Sequence, residues 1–351
     1  MKKRVLVWMS WGVDSAVSAY LLQQQWYEVI AGFMKNYADE QNPDCHTRQD
    51  RNMAIKVSQF LDIKTFIIFD FREEYQRSII SYIYETYKQG LTPNPDILCN
   101  TLIKFKLFLE EWKRLGCDIV ATGHYARIQQ DASWYHLLKW KDENKDQSYF
   151  LSGLNQEQLW SALFPLGDLT KPQVREIATK IWLPNADRKD SQWLCFIWKV
   201  SMKNFLKEAL PVTTGDIVDE AWTVLWQHEW VWFYTIWQRQ WLWLAWWPLY
   251  IVRRDITQNT LVVWSSDTQQ LLSTKLQAKQ RHRIQSSSPA LPITCHAKIR
   301  YRQKDQVCTI TKLDNDIVEV VFDIPQRAVS PWQTIAAYQW DELLWSGIIC
   351  E

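Results

Sequence analysis

The chain predicts a doubly wound, parallel α/β domain followed by two small β domains, and three observations carry that prediction. Short apolar runs alternate with segments of helical periodicity up to residue 208, the rhythm of a parallel sheet with helices on both faces. A polar turn, Ser10 to Ser15, sits between the first such run and the first helix. From Ala209 the helical periodicity gives way to short strands separated by turns. The boundaries read from these changes are 1–208, 209–273 and 274–351.

In chain order, Val5–Val7 is a continuous apolar run, as a strand buried on both faces requires. Val13, Ala16, Val17, Tyr20 and Leu21 recur at helical spacing, so the polar turn opens a helix. A second strand is expected over 29–33, ending at Met34, then a helix on Ala54, Val57, Phe60 and Leu61. A third strand is expected over 65–69 and a helix on Tyr75, Ile79, Tyr82 and Ile83. A fourth strand, 118–121, runs into Thr122-Gly123-His124-Tyr125. In such sheets ligands bind at the carboxyl ends of the strands, where both the opening turn and Gly123-His124 lie. The middle β domain is expected to hold strands at 215–218, 231–236, 249–252 and 261–263. A small barrel is expected from strands at 295–299, 307–311, 318–322 and 328–329, closed by Ile348-Ile349.

A strand, a loop and a helix N-terminus together make an anion site, because unpaired N–H groups and the helix dipole point at its occupant. Ser10-Trp11-Gly12-Val13-Asp14-Ser15 resembles the S-G-G-x-D-S pyrophosphate loop of ATP-pyrophosphatases, with Trp11 standing where that family has glycine. Composition bears on the departure. The chain has 23 Trp and 9 Gly in 351 residues, whereas ordinary usage of roughly 7% would give about two dozen Gly. Trp246-Trp247-Pro248 and Trp241-Leu242-Trp243 also read like glycine turns. The expectation is that glycine stands at the tryptophan positions of the functional protein, as UGA codons read as glycine would produce; deliberate substitution is the alternative.

A net charge of +1 and a pI near 7.6 give no global signal for a polyanion partner. Nothing resembles a signal peptide or a bilayer-spanning segment, so no membrane partner is expected. Seven cysteines without a C-x-x-C pair argue against a disulfide framework or a zinc site, and a reducing cytoplasm is the expected compartment. No metal ligand set is expected; Asp44-Cys45-His46 has no matching cluster elsewhere.

Two cysteines have a suggestive context. Cys99, in Asn94-Pro95-Asp96-Ile97-Leu98-Cys99-Asn100, is expected at a helix start, where a thiol's pKa falls, with Asp96 three residues earlier as a candidate acid/base. Cys195 lies in Asp190-Ser191-Gln192-Trp193-Leu194-Cys195-Phe196. The two contexts, N-P-D-x-x-C-N and D-S-Q-G-x-C-F, resemble the tRNA-specific 2-thiouridylases, which place sulfur on the wobble uridine. The resemblance runs the full length through Ala121–Tyr125, Asn144–Leu151, His228–Arg239, Ile299–Gln303 and Ser330–Gln333, with Trp at family glycines. Cys117, Cys295, Cys308 and Cys350 lack such a context and read as packing or surface residues.

The resemblance implies that ATP binds over Trp8, Met9, Ser10, Trp11, Gly12, Val13, Asp14 and Ser15, with its nucleoside near Met34 and Gly123 and with Mg²⁺ offsetting phosphate charge. Cys195 would carry a persulfide delivered by a relay protein, Cys99 would resolve it by forming a Cys99–Cys195 disulfide, and Asp96 would serve as acid/base. Asn94, Pro95, Asp96, His124, Lys145, Asp146, Gln147, Arg300, Tyr301 and Gln333 match tRNA-contacting positions. Lys275, Lys279, Arg281, Arg283, Arg300, Arg302 and Lys304 would add phosphate contacts. Two alternatives stand beside this reading: another synthetase of the same loop class, such as a 4-thiouridine synthetase, or a non-catalytic tRNA-binding protein if Trp11 blocks the phosphates.

Overall fold

The structure, a computed structural model, describes residues 2–37, 47–142, 145–188, 202–210, 212–236, 238, 249–265, 272–284, 290–314 and 316–350. Cys195 and the turns around Trp241–Trp247 lie outside these residues.

The first strand, β1 (Arg4–Trp8), is buried through Val5, Leu6 and Val7 because neighbours flank it on both sides. It pairs in parallel with β2 (Glu28–Lys35), with Val5 opposite Val29, and β2 pairs in parallel with β3 (Thr65–Asp70). On the other side lies β4 (Ile119–Ala121). Two short strands not expected from the sequence follow, β5 (Arg127–Gln130) and β6 (Tyr135–Leu138), and then β7 (Ala162–Leu163) completes the sheet β3-β2-β1-β4-β7. Its helices are α1 (Val13–Gln24), α2 (Thr47–Phe60), α3 (residues 72–88), α4 (residues 95–114), α5 (Gln156–Trp160), α6 (Lys171–Lys180) and α7 (Met202–Ala209). Each face of the sheet carries its own core, one around Leu6, Ile30 and Phe108 and the other around Val5, Val7 and Ala16.

The second unit is a four-stranded sheet in the order β10-β11-β8-β9, built from β8 (Gly215–Val218), β9 (Val224–His228), β10 (Leu249–Asp255) and β11 (Thr260–Ser265). The strand expected over 231–236 is instead a 3-10 turn, Val231–Phe233. Val231 fills the core of this sheet while Trp230 packs into the α/β core, so the segment is a wedge between two cores and cannot run straight.

The third unit joins β12 (Leu272–Arg283), β13 (Ile293–Lys298), β14 (Gln306–Lys312), β15 (Ile317–Arg327), β16 (Thr334–Gln339) and β17 (Glu342–Ile349). They run β12-β15-β14-β13-β16-β17, and β12 pairs again with β17, so the sheet closes into a six-stranded antiparallel barrel. The strand expected at 328–329 does not form: Ala328 adopts a φ of 59°, which ends β15. The β5–β6 hairpin leaves the α/β unit and adds to the barrel sheet through Leu138 opposite Glu342. Ala126, Leu137 and Tyr149 accordingly share one core with Ala336, Tyr338 and Leu343.

Eight non-glycine residues among those described have positive φ, and five of them are tryptophan: Trp26 (66°), Trp182 (58°), Trp222 (63°), Trp332 (72°) and Trp340 (55°). A bulky side chain in this region is strained.

Candidate active site

The site is built on the turn between β1 and α1. Met9 N–H donates to the Gly32 carbonyl over 2.9 Å, anchoring the turn to β2. The Ser15 hydroxyl accepts from Ser10 N–H at 3.1 Å and donates to the Gly12 carbonyl at 3.0 Å, while Gly12 N–H donates to Ser10 Oγ at 3.1 Å. These bonds curl the loop over the start of α1. Val13, Asp14 and Ser15 form the helix's first turn, whose N–H groups have no acceptor within the helix and so face an incoming anion.

Gly123, at the end of β4, passes so close that a Cβ there would meet Asp14 C and Ser15 N at 2.9 Å. Only glycine lets the segment after β4 come this close to the first turn of α1. The Asp14 carboxylate is held by Tyr125 Oη at 2.6 Å and Lys171 Nζ at 2.5 Å. Met34 is buried at the end of β2, beside the same edge. Trp11 stands in the loop with the Arg188 guanidinium 4.1 Å from its ring centre, and Asn185 donates to its carbonyl at 3.0 Å.

The proline segment opens α4. Pro95 and Asp96 lie in the first turn of the helix and Cys99 one turn further in, so the thiol is not at the helix start that the sequence predicts. Proline is suited to a first helical position and pulls the start forward. After Cys99 the helix widens into a π-helical stretch, Asn100–Leu107, before returning to α over Phe108–Arg114. Such stretches are frequent at functional sites. Cys99 is buried. Burial pushes the Asp96 carboxyl above its ordinary range, and nearby Lys104 offsets part of this.

His124 is buried, its Nδ1 2.7 Å from Thr122 Oγ1. Burial, then Lys104, holds its pKa well below the ordinary value, so the ring is neutral at pH 7. Its ring packs against Phe105 of α4 and Trp8 of β1, at 6.0 and 6.2 Å between centres. The barrel closes the other side. Gln333 Nε2 donates to the Thr92 carbonyl at 2.8 Å, Asn94 donates to Tyr149 Oη at 3.4 Å, and Tyr149 Oη donates to the Thr334 carbonyl at 2.9 Å. The Tyr301 ring packs at a tilt against Phe150, 4.2 Å between centres, and the Arg300 guanidinium donates to the Arg327 carbonyl.

The structure thus brings together the phosphate loop, Gly123, His124, Asn94–Cys99, Tyr301 and Gln333. Asp146 stands apart in character. It is buried and accepts from Trp140 N–H at 3.0 Å, Ser148 N–H at 3.1 Å and Ser148 Oγ at 2.9 Å, with Lys298 Nζ at 3.3 Å. Gln147 Oε1 accepts from Tyr125 N–H at 2.9 Å. The sequence assigns no role to Lys104 or Lys171, and Tyr125 enters only as the last residue of the Thr122–Tyr125 motif. Lys104 falls five residues after Cys99, off-face in an α-helix and visible only once the π-helical turn is known. Among the described residues no group of three His, Cys, Asp or Glu could hold a metal.

Known families match each part of the chain. Residues 3–199 match the tRNA methyl transferase HUP domain, 203–265 the tRNA methyl transferase PRC-barrel domain and 262–349 the aminomethyltransferase beta-barrel domain. The tRNA-specific 2-thiouridylase MnmA of Nitrosococcus oceani is 45% identical over 358 residues, covering 99% of this chain and 97% of that protein. Its counterpart from Thiobacillus denitrificans is 44% identical over 359 residues, covering 100% of both. That of Streptococcus mutans is 42% identical over 357 residues, 99% of this chain and 95% of that protein. With this identity maintained from end to end, the chain belongs to the tRNA-specific 2-thiouridylase family.

Proposed function

We propose that the chain catalyses ATP-dependent 2-thiolation of the wobble uridine of tRNA, releasing AMP and pyrophosphate. The observation that carries this reading is the junction of three elements: the phosphate loop, the Gly123 contact with its helix, and the Asp96–Cys99 turn, which shares the Lys104 charge with His124. ATP fits the loop, because the first-turn N–H groups of α1 and the absence of a side chain at Gly123 favour a closely held polyphosphate. Mg²⁺ would ride chiefly on the phosphates, as it commonly does with nucleotides.

In this reading the loop orients the α-phosphate toward the uridine 2-oxygen, and the base leaves its stack to reach Asn94–Asp96. Neutral His124 offers one imidazole nitrogen to the base while Thr122 fixes the other. Asp96 retains a proton more readily than an exposed carboxyl and can return it to the substrate. The terminal sulfur of a Cys195 persulfide attacks C2, directly or after release as hydrosulfide, and AMP departs. On the direct route Cys99 thiolate then attacks the Cys195 sulfur, the S–S bond breaks toward the base, and 2-thiouridine leaves as a Cys99–Cys195 disulfide forms. An external thiol reductant resets the pair, and a persulfide carrier protein reloads Cys195.

Lys145 and Gln147 flank the buried Asp146, so we assign Asp146 to holding that loop and its neighbours to meeting tRNA. Arg300, Tyr301 and Gln333 extend the contact onto the barrel. We place the functional units at 1–208, 209–273 and 274–351, and the reaction in the cytoplasm, where thiols stay reduced. No helix among the described residues is long and apolar enough to cross a membrane.

The names of two matched domains suggest methyl transfer as a second reading, but those names describe parts, whereas the thiouridylase relatives align over the whole chain. Nucleoside mass spectrometry of tRNA incubated with ATP, a sulfur donor and the full chain decides. Sulfur at the wobble uridine, dependent on ATP, is expected; a methylated base, or no change, overturns the proposal.

A further inference from the structure

We propose that the Lys104 ammonium binds the α-phosphate of the nucleotide while it is transferred to uridine; this rests on the function proposed above. Its Nζ lies 4.3 Å from the centre of the ring of Trp8, the last residue of β1 and two positions before Ser10 of the loop. The same amine acts electrostatically on both Asp96 and His124. It therefore occupies the point where loop, acid and base-binding residues converge. Lys104 is half-buried, yet among the described residues it has no carboxylate at ion-pair distance. A cation withdrawn from water, with no carboxylate in contact and only the Trp8 ring face against it, is matched by an anionic ligand, the more so in a chain with glycine at residue 8. The π-helical turn accounts for its placement. With hydrogen bonds running from i to i+5, Cys99 and Lys104 follow one another along one face, and the helix carries acid, thiol and cation to the same edge.

The parent for the test is the full-length chain in whichever form, as written or with glycine at its tryptophans, makes 2-thiouridine; if neither does, the proposed function fails rather than the lysine's role. Lys104→Ala should lower tRNA-dependent pyrophosphate release about a hundredfold, as loss of one transition-state donor does, with ATP affinity and melting temperature unchanged. Added methylammonium should restore part of the rate, and Lys104→Arg most of it. Lys104→Gln, which keeps the stem, should show the same loss if the alanine variant melts poorly. Turnover within about threefold of the parent in either neutral variant would overturn the proposal. So would a loss restored by neither methylammonium nor arginine, which would assign the side chain to packing.

A separate observation supports a second inference, that glycine occupies the tryptophan positions in the protein its source makes. Trp26 N–H donates to the Gln23 carbonyl and Tyr27 N–H to the Leu22 carbonyl, at 3.0 and 3.1 Å, which is a Schellman helix end. Trp182 and Leu183 close α6 in the same way, onto Thr179 and Ala178. Gly90 and Gly116 fill the same position in the same motif after α3 and α4. Trp340 is the first of two residues linking β16 to β17, and at positive φ this is a glycine position. Trp26, Trp182 and Trp340 are 75, 83 and 83% exposed, so no packing of the indole compensates the backbone. Peptide mass spectrometry of the protein isolated from its source should find glycine at 26, 182, 222, 332 and 340, and tryptophan there would overturn the inference. Expressed side by side, the glycine chain should melt cooperatively at a higher temperature than the chain as written; the reverse order counts against it.

Discussion

Tyr125 Oη donates to Asp14 Oδ1 over 2.6 Å, tying the segment after β4 to the first turn of the phosphate-loop helix. Tyr125 is buried, so its hydroxyl has little water to turn to. Tyr125→Phe removes a hydrogen bond to a charged group and should destabilise the chain by about 1.5–3 kcal/mol. Lys171 remains to neutralise Asp14, so the KM for ATP should rise while turnover at saturation changes less. Urea unfolding and steady-state kinetics check the two parts.

Gly123→Ala tests the closeness of the segment after β4 to the first turn of α1. The new methyl group meets backbone atoms of Asp14 and Ser15, which cannot rotate away. Overpacking of this kind is expected to destabilise by about 1–3 kcal/mol, and the displaced loop should lose most of its ATP affinity. Calorimetric titration with ATP alone is the measurement.

Cys99→Ser and Cys195→Ser should each abolish 2-thiouridine formation while leaving ATP and tRNA binding near the parent values. Thiolated tRNA from either variant, detected by nucleoside mass spectrometry, would rule out the two-cysteine route.

His136 links the hairpin to the barrel through Nδ1, 2.7 Å from Glu342, and Nε2, 2.9 Å from Asp131. Burial opposes its charge, but the two carboxylates outweigh it and hold its pKa above the ordinary 6.5. A raised folded-state pKa means the stabilisation is fully present below about pH 6.5 and is lost as pH rises through the higher folded value. The melting temperature should therefore fall across that window, and His136→Gln should flatten the dependence.

Much of the α/β unit was legible because β1 and β2, buried on both faces, are plain apolar runs, and even the half-exposed edge strand β3 and the short β4 fall where apolar runs lie. The phosphate loop was legible for the same reason, as polar residues between two strongly patterned elements. The β5–β6 hairpin was not, since its partner, Glu342, is supplied from far along the chain. Nor was the position of Cys99 in α4, where Pro95 moves the helix start ahead of the thiol. The basic residues from Lys275 onward read as one surface, yet Lys275 lies 3.6 Å from Glu319 and is partly neutralised. Asp146, which the resemblance gives as a tRNA-contacting position, is buried against Lys298.

The joint between hairpin and barrel bears on how the enzyme is made. Leu138 finds its partner Glu342 only when the last strand has been synthesised, and Thr92 likewise waits for Gln333. Contacts so distant in sequence form late. A chain still on the ribosome can therefore complete the turn between β1 and α1 well before the barrel that packs against Thr92 and the β5–β6 hairpin.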